Sequence, residues 1–156
     1  MNPFSSRCCQ HNHAQGWPYY AEHLILATPD NGVAAAMYAA CKATVKVGDG
    51  NEISLHEQTN YPFEETIRFT VNTPKAVSFP FYLRIPSWTE GATIFVNGKK
   101  VAANPEAGQY ACINREWKDN DQVEIQLPMQ LSMRTWQVNK NSVKRRLRSV
   151  DNVTEN

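Results

Sequence analysis

The residues best suited to chemistry lie near the start of the chain, where the adjacent pair Cys8-Cys9 is followed closely by His11 and His13. Thiolate and imidazole are the ligands that zinc prefers, so zinc binding is the first hypothesis. Compact zinc motifs separate paired ligands by about two to four residues, whereas adjacent cysteines share an ion only if other ligands come from elsewhere. The segment therefore offers half of a zinc site, and simple packing of two small thiols in a core stays an open alternative.

The other two cysteines, Cys41 and Cys112, fall within strand patterns. We expect both to be small buried hydrophobic residues, with a disulfide only if the fold brings them together. Four cysteines in 156 residues are too few for a disulfide-dense scaffold, so reduced thiols are expected. A thiol-based redox or metal-storage protein is disfavoured because the adjacent pair lacks the Cys-x-x-Cys spacing.

The elements that must position these residues begin with one helix. The run from Trp17 to Ala27 has apolar residues at helical spacing and Pro18 near a first turn, so it predicts about three helical turns. The preceding residues 1–16 lack periodicity and are expected to form a loop. The breaker cluster from Thr28 to Gly32 should end the helix.

After Gly32 the apolar period changes to two, which is typical of strands with one buried face. A hairpin is predicted at residues 48–50, and a two-residue type I′ turn at Asn97-Gly98. Pro80 inside a strongly alternating run predicts an edge position or a bulge. Seven to nine short strands at this spacing predict a mainly β protein, an antiparallel β-sandwich.

Composition excludes several partner classes. Lysine and arginine number 16 against 15 acidic residues, and this near balance provides no long-range field for nucleic acid or anionic membranes. The basic run at residues 144–148 lacks an aromatic platform and is interpreted as part of a solvated tail. No signal peptide or apolar span is recognised, so the sequence predicts no compartment.

Several short motifs, taken together, resemble those of glycoside hydrolase family 127, the β-L-arabinofuranosidase-like proteins. The likeness runs from about Cys8 to Val143. The motifs, in order, are Cys8-Cys9-Gln10-His11-Asn12, Asn60-Tyr61-Pro62, Arg84-Ile85-Pro86-Ser87-Trp88, Val96-Asn97-Gly98, Tyr110 to Trp117 and Leu127-Pro128-Met129. Each string is common, but their joint order and spacing are specific.

The resemblance implies a parent enzyme in which an (α/α)6-barrel catalytic domain precedes β-sandwich modules. The chain is then expected to be a fragment: residues 1–31 a helical barrel remnant, 32–138 the sandwich, and 139–156 a disordered tail or the start of another module. By position, Cys8 would be the nucleophile and a zinc ligand, and Cys9 a second zinc ligand. The implied partner is an arabinose-containing plant carbohydrate, hydrolysed with retention of configuration.

The sequence departs from the family pattern in ways that limit this assignment. Better-known members follow the cysteine pair with prolines, where this chain has Gln10 and His11, so the sugar within the family stays open. The remaining zinc ligands and the acid/base glutamate lie upstream in the family, and the fragment alone is expected to be inactive. The alternative is a non-catalytic carbohydrate-binding or structural β-sandwich.

Aromatic residues suggest sugar stacking, but packing is the preferred interpretation for all of them. Trp17, Tyr19 and Tyr20 have helical spacing and are expected to belong to a core. Their helix should nevertheless show an exposed apolar surface here, since its natural cover would be the missing barrel. Trp88 and Trp117 follow strands and are expected to cap the sandwich.

Overall fold

A computed structural model describes residues 7–102, 105–131 and 133, which form one helix followed by ten strands. The elements are α1 (Arg7–Glu22), β1 (Ile25–Ala27), β2 (Val33–Ala35), β3 (Cys41–Val47), β4 (Asn51–Thr59), β5 (Thr66–Asn72), β6 (Val77–Arg84), β7 (Thr93–Val96), β8 (Lys99–Lys100), β9 (Tyr110–Trp117) and β10 (Asp121–Gln126). Within these ranges, no helix is both long enough and apolar enough to cross a membrane. The expected tail at 139–156 lies outside the described residues.

The strands form two sheets that pack face to face. The small sheet has the order β1-β2-β6-β9, and the large sheet has the order β3-β4-β5-β10-β7-β8. All strand pairs are antiparallel except β2 with β6, which run parallel. The predicted mainly β sandwich is confirmed, with one parallel pair that the sequence pattern did not indicate.

Period-two patterning places the core between the sheets. In β5, Ile67 and Phe69 are fully buried, as are Phe81 and Leu83 of β6, while the residues between them point the other way. The Phe69 and Phe81 rings meet edge to face across the sandwich with centroids 5.3 Å apart. Burying each such side chain contributes about 1.5–3 kcal/mol, so this alternation is what stabilises the two-sheet arrangement.

The two predicted hairpin turns are present. Residues 48–50 join β3 to β4 in an antiparallel pair. At the second turn, Asn97 and Gly98 have φ of 50° and 74°, the positive values that a type I′ turn requires. The Asn97 side chain fixes this turn to β10, since its Nδ2 donates to Asp121 Oδ1 at 2.7 Å and its Oδ1 accepts from the Gln122 amide at 2.8 Å.

Pro80 lies within β6, an interior strand of the small sheet, rather than on an edge strand. Its position is nonetheless locally an edge, because β2 pairs with β6 only from Phe81 to Leu83. The side of β6 that faces β2 therefore has no partner strand at Pro80, where the ring removes a backbone donor. Pro80 thus occupies an edge position, as predicted, although β6 itself is not an edge strand.

The predicted helix boundaries were wrong. The helix spans Arg7–Glu22 rather than 17–27, so Pro18 lies inside the helix, and residues 7–16 are helical rather than a loop. Residues 25–27 form β1 because their backbone pairs with β2, in the register Ile25 to Ala35 and Ala27 to Val33. Hydrogen bonds to the neighbouring strand β2 decided this conformation over the weak helical period.

The strand cysteines differ from expectation. Both Cys41 and Cys112 are free thiols, Cys41 is only partly buried, and Cys112 is exposed. Cys112 alternates with the buried Ala111 and Ile113 of β9, so its side chain lies on the outer face of the small sheet. The prediction of two buried hydrophobic cysteines was therefore wrong for Cys112.

The two tryptophans that were expected to cap the sandwich differ in burial. Trp117, the last residue of β9, is fully buried, and its indole N–H donates to Phe79 O at 3.0 Å. Trp88 is 48% exposed and closes much less of the core. Only Trp117 behaves as a residue that caps the sandwich.

Replacing Trp117 with Ala should lower the free energy of unfolding by about 3–5 kcal/mol, because a large buried ring and a buried hydrogen bond are both lost. Trp88→Ala, the matched control at an exposed site, should change it by less than about 1 kcal/mol. Urea denaturation monitored by circular dichroism measures both values. Equal effects of the two substitutions would contradict the burial described for Trp117.

Candidate functional site

The first turn of α1 carries the cysteine pair. Cys8 and Cys9 are the second and third residues of the helix, and consecutive helical residues are rotated by about 100° around the axis. The backbone therefore places the two residues on neighbouring faces of the same turn. The side chains of Cys8, Cys9, His11 and His13 lie outside the described part of the structure.

The donor set for zinc is incomplete in the described part of the chain. Among the side chains that the structure describes, which leave out those of residues 7–11 and 13, no group of three or more histidine, cysteine or acidic residues is arranged to hold a metal ion. Two adjacent thiols are chemically suited to zinc, which binds four ligands in structural sites and three plus water in catalytic ones. Cys8 and Cys9 can therefore supply only part of a ligand shell.

The other end of α1 is fixed to the sandwich. The carbonyl of the buried Leu24 accepts hydrogen bonds from the Ala36 and Met37 amides at 2.9 and 3.4 Å, and Tyr20 donates its hydroxyl to Tyr38 O at 3.1 Å. A rise of 1.5 Å per residue puts Cys8 about 18 Å along the helix from Tyr20. The cysteine pair and the residues that anchor the helix therefore lie at opposite ends of α1.

The helix aromatics are not buried in the described structure. Trp17 and Tyr19 are 66% and 65% exposed, and the partly exposed Tyr20 meets Trp17 edge to face with centroids 6.4 Å apart. The core expected for these three side chains is not formed within the described residues. The exposed aromatic surface expected on this helix is present at Trp17 and Tyr19.

A buried carboxyl group lies beside the anchoring region. Glu57 of β4 has no exposed surface, and Cys41 is its direct partner on β3. The Ala39 amide donates to Glu57 Oε1 at 3.0 Å, and the Cys41 thiol donates to Oε2 with a sulfur-to-oxygen distance of 3.7 Å. Both carboxyl oxygens thus have protein partners, and neither partner is a cation.

The electrostatics of this pair favour the protonated forms. Burial raises the pKa of Glu57 from 4.5 to about 8, although the hydrogen bonds from Ala39 and Cys41 oppose the rise. Burial, followed by the nearby Glu57, raises the pKa of Cys41 to about 11. At neutral pH the site therefore holds a mostly neutral acid and a neutral thiol, which makes Cys41 a poor nucleophile.

Glu57 was not predicted as a site residue, although the strand pattern around it carried a signal. Ile53 and Leu55 alternate with polar residues in β4, and the same period places Glu57 on the inner face. A carboxyl at an apolar position of a strand is a rare event that indicates either a polar network or a functional group. The alternation could have identified it, but not its partners.

Comparison with known proteins identifies the sandwich. Residues 32–129 match the family model described as "Beta-L-arabinofuranosidase, GH127 middle domain", which is more than half of the chain. The chain belongs to glycoside hydrolase family 127. Cys8 and Cys9 precede the matched range, and β1 also precedes it although it pairs with the small sheet. The boundary between residues 31 and 32 remains a prediction.

Solved structures agree with this assignment. A GH127 β-L-arabinofuranosidase from Geobacillus stearothermophilus T6 shares 32% identity with a TM-score of 0.74, over 80% of this chain and 20% of its own. A protein described as a glycoside hydrolase shares 32% identity with a TM-score of 0.74, over 83% and 22%. A GH127 β-arabinofuranosidase shares 28% identity with a TM-score of 0.58, over 65% and 18%.

The matches cover most of this chain but only a small part of each solved structure. This GH127 chain spans about one fifth of the length of the solved structures it matches. A search of curated proteins gave no match.

Glu57 should make the stability of this GH127 domain depend on pH. Its pKa is raised in the folded state, so between about pH 4.5 and 8 the folded protein holds a proton that the unfolded chain releases. The free energy of unfolding should therefore fall as pH rises through this window, by up to about 1.4 kcal/mol per pH unit. Chemical denaturation at several pH values measures the slope.

Glu57→Gln should remove most of this slope, because an amide can accept from the Ala39 amide but does not titrate. The matched control is Glu52→Gln, which replaces an exposed glutamate on the same strand. The slope should persist in that control. A wild-type slope that survives Glu57→Gln would refute the assignment.

The two strand cysteines should differ in reactivity. Only thiolate is alkylated, and the raised pKa of Cys41 leaves very little of it at pH 7.5, whereas Cys112 is exposed. Peptide mass spectrometry after iodoacetamide treatment should show Cys112 labelled at least about tenfold faster than Cys41. In urea the two rates should converge; equal rates in the folded protein would contradict the described environment of Cys41.

Proposed function

We propose that this GH127 chain is part of a retaining glycoside hydrolase that removes non-reducing terminal L-arabinofuranose, or a related pectic sugar, with Cys8 as its nucleophile. The observation that carries the proposal is the position of Cys8-Cys9 on the helix that leads directly into the GH127 middle domain. Two of the matched structures are arabinofuranosidases by name, one of them a β-L-arabinofuranosidase, and this supports the choice of sugar.

In the proposed reaction, the Cys8 thiolate attacks the anomeric carbon of the sugar. The bond from that carbon to the leaving oxygen breaks, and a carboxylic acid gives its proton to that oxygen. Water then attacks the anomeric carbon, the carbon–sulfur bond breaks, and the same carboxyl group takes the proton of the water. Two displacements at one carbon restore its configuration, which is why the reaction is retaining.

Cys8 and Cys9 would hold a zinc ion as two of its ligands. When bound, zinc would lower the pKa of the Cys8 thiol, so that the nucleophile would be a thiolate at neutral pH. Cys9 would then orient the metal-bearing turn without taking part in the displacement. The remaining zinc ligands are proposed to lie upstream, on the helical catalytic domain.

The acid/base group is proposed to lie on the helical catalytic domain upstream. Glu57 is a poor candidate, since it is buried and both of its oxygens already have protein partners. Under this proposal residues 1–31 belong to the catalytic domain, 32–138 to the sandwich, and 139–156 to a tail or a following module. The isolated chain should then be inactive, because a nucleophile without its acid and its substrate pocket lacks most of the transition-state stabilisation.

The test uses the chain produced together with the proposed upstream domain, with p-nitrophenyl β-L-arabinofuranoside as substrate. Cys8→Ser should lower kcat by at least about a thousandfold, since a serine hydroxyl stays protonated. Zinc should be near one per chain by elemental analysis, and Cys9→Ser should reduce it. Cys112→Ser is the matched control, because it removes an exposed thiol on the sandwich, and both activity and zinc should persist.

The opposite outcome would favour the second candidate. If the longer protein binds no zinc and its Cys8→Ser variant turns over the substrate as fast as wild type, Cys8 is not the nucleophile. The chain would then be interpreted as a non-catalytic carbohydrate-binding or structural sandwich.

A further inference from the structure

The outer face of the small sheet carries an apolar cavity that the proposed chemistry does not use. Its volume is about 450 Å³, and its lining includes Leu26, Pro29, Asp30, Ala34, Tyr82 and Tyr110. This volume lies within the range of small-molecule sites, which combine apolar walls with a few fixed polar groups. We name it the outer-sheet cavity.

Strand register brings its apolar side chains together. Leu26 of β1 pairs with Ala34 of β2, and Ala34 pairs with Tyr82 of β6, so these three form a row across the sheet. Tyr110 of β9 pairs with Arg84, which makes it a diagonal neighbour of Tyr82 on the same face. Tyr110 is 46% exposed, and Leu26 is 37% exposed. The row forms a platform that remains open to solvent.

A fixed carboxylate lies at one side of this platform. Tyr82 donates its hydroxyl to Asp30 Oδ2 at 2.6 Å, and Thr28 donates to Asp30 Oδ1. Thr28 Oγ1 in turn accepts from the Gly32 amide at 3.0 Å, so the turn from Thr28 to Gly32 holds the carboxylate in place. The absence of a side chain at Gly32 lets the turn pack closely against β6, since a Cβ at this position would lie 2.3 Å from Pro80 O.

Asp30 is exposed, so its carboxylate can be reached by a ligand. Each carboxylate oxygen can accept two hydrogen bonds. Each receives one side-chain donor, and the nearby backbone amides of Asp30 and Gly32 further stabilise the charge. The hydrogen bonds from Thr28 and then Tyr82 lower the pKa of Asp30, so it is ionised at neutral pH. Hydroxyl groups of a ligand could therefore donate to it above an aromatic platform.

We propose that the outer-sheet cavity is a non-catalytic binding site for a neutral sugar residue, with Tyr110 and Tyr82 contacting the C–H face and Asp30 accepting from hydroxyl groups. A sugar offers both an apolar face and a ring of donors, which matches this arrangement. The Asp30 charge disfavours uronates, because like charges repel, while the Arg84 guanidinium on the same face donates to Ala36 O at 3.2 Å.

The same charge argues against an apolar protein surface as the occupant. The ion pairs among the described residues are Arg68 with Glu124 and Arg115 with Asp121, and neither involves Asp30. Covering an ionised carboxylate with apolar surface is costly without a cation or hydroxyl donors. A polyhydroxylated ligand supplies those donors.

The experiment is an amide NMR titration of the full 156-residue chain with L-arabinose, D-galactose and D-galacturonate. At least one neutral sugar should shift the Asp30, Tyr82 and Tyr110 resonances saturably, with a millimolar dissociation constant, and galacturonate should bind at least about fivefold more weakly. The inclusion of L-arabinose rests on the proposed function, whereas D-galactose tests the cavity without it.

Matched variants assign the contacts. Tyr110→Ala should weaken binding by about tenfold, while Tyr110→Phe should retain it because the ring face remains. Asp30→Asn should reduce the discrimination against galacturonate. Tyr19→Ala removes an exposed tyrosine on α1 and should leave binding unchanged, as should Cys8→Ser, which separates this site from the proposed nucleophile.

Two results would overturn the proposal. One is the absence of saturable shifts at these residues with both neutral sugars. The other is concentration-dependent dimerisation in analytical ultracentrifugation that Tyr110→Ala abolishes, since the face would then be an interface between two copies.

Discussion

The contact between the inner faces of the two sheets is the interaction on which the rest of this GH127 domain depends. Phe81 of the small sheet meets Phe69 of the large sheet and also Trp117, at centroid distances of 5.3 and 6.0 Å. Because interiors are packed at crystal-like density, these rings fix the separation and the relative position of the sheets. The positions of the groups on the outer faces and at the strand ends therefore depend on that contact.

Two polar arrangements show how the sandwich departs from a purely apolar plan. Glu57 occupies an inner position, where hydrogen bonds from the Ala39 amide and the Cys41 thiol satisfy its oxygens without a cation. Asp30 lies instead on the outer side, exposed and ionised, with Tyr82 and Thr28 as donors. The same residue class is thus held neutral in one place and charged in the other, and solvent exposure decides which.

The attachment of α1 to the sandwich bears on the proposed role of Cys8. The anchoring hydrogen bonds at Leu24 and Tyr20 tie the end of α1 to residues 36–38, which directly follow β2 of the small sheet. In the proposed enzyme, the helix that carries Cys8 would therefore be continuous with a rigid β module. A sandwich attached in this way would restrict the helix, which would give the β module a positioning role in the proposed enzyme.

The sequence by itself determined the sandwich, because period-two alternation such as Ile67, Phe69 and Val71 can bury its apolar face only against another sheet. It also determined the Asn97-Gly98 turn, since few residue pairs adopt positive φ easily. Only the tertiary structure decided that residues 25–27 form a strand, that Cys112 faces solvent, and that Glu57 meets Cys41. Those outcomes depend on which strands pair and on which face each strand buries, and local periodicity does not specify which strands become neighbours.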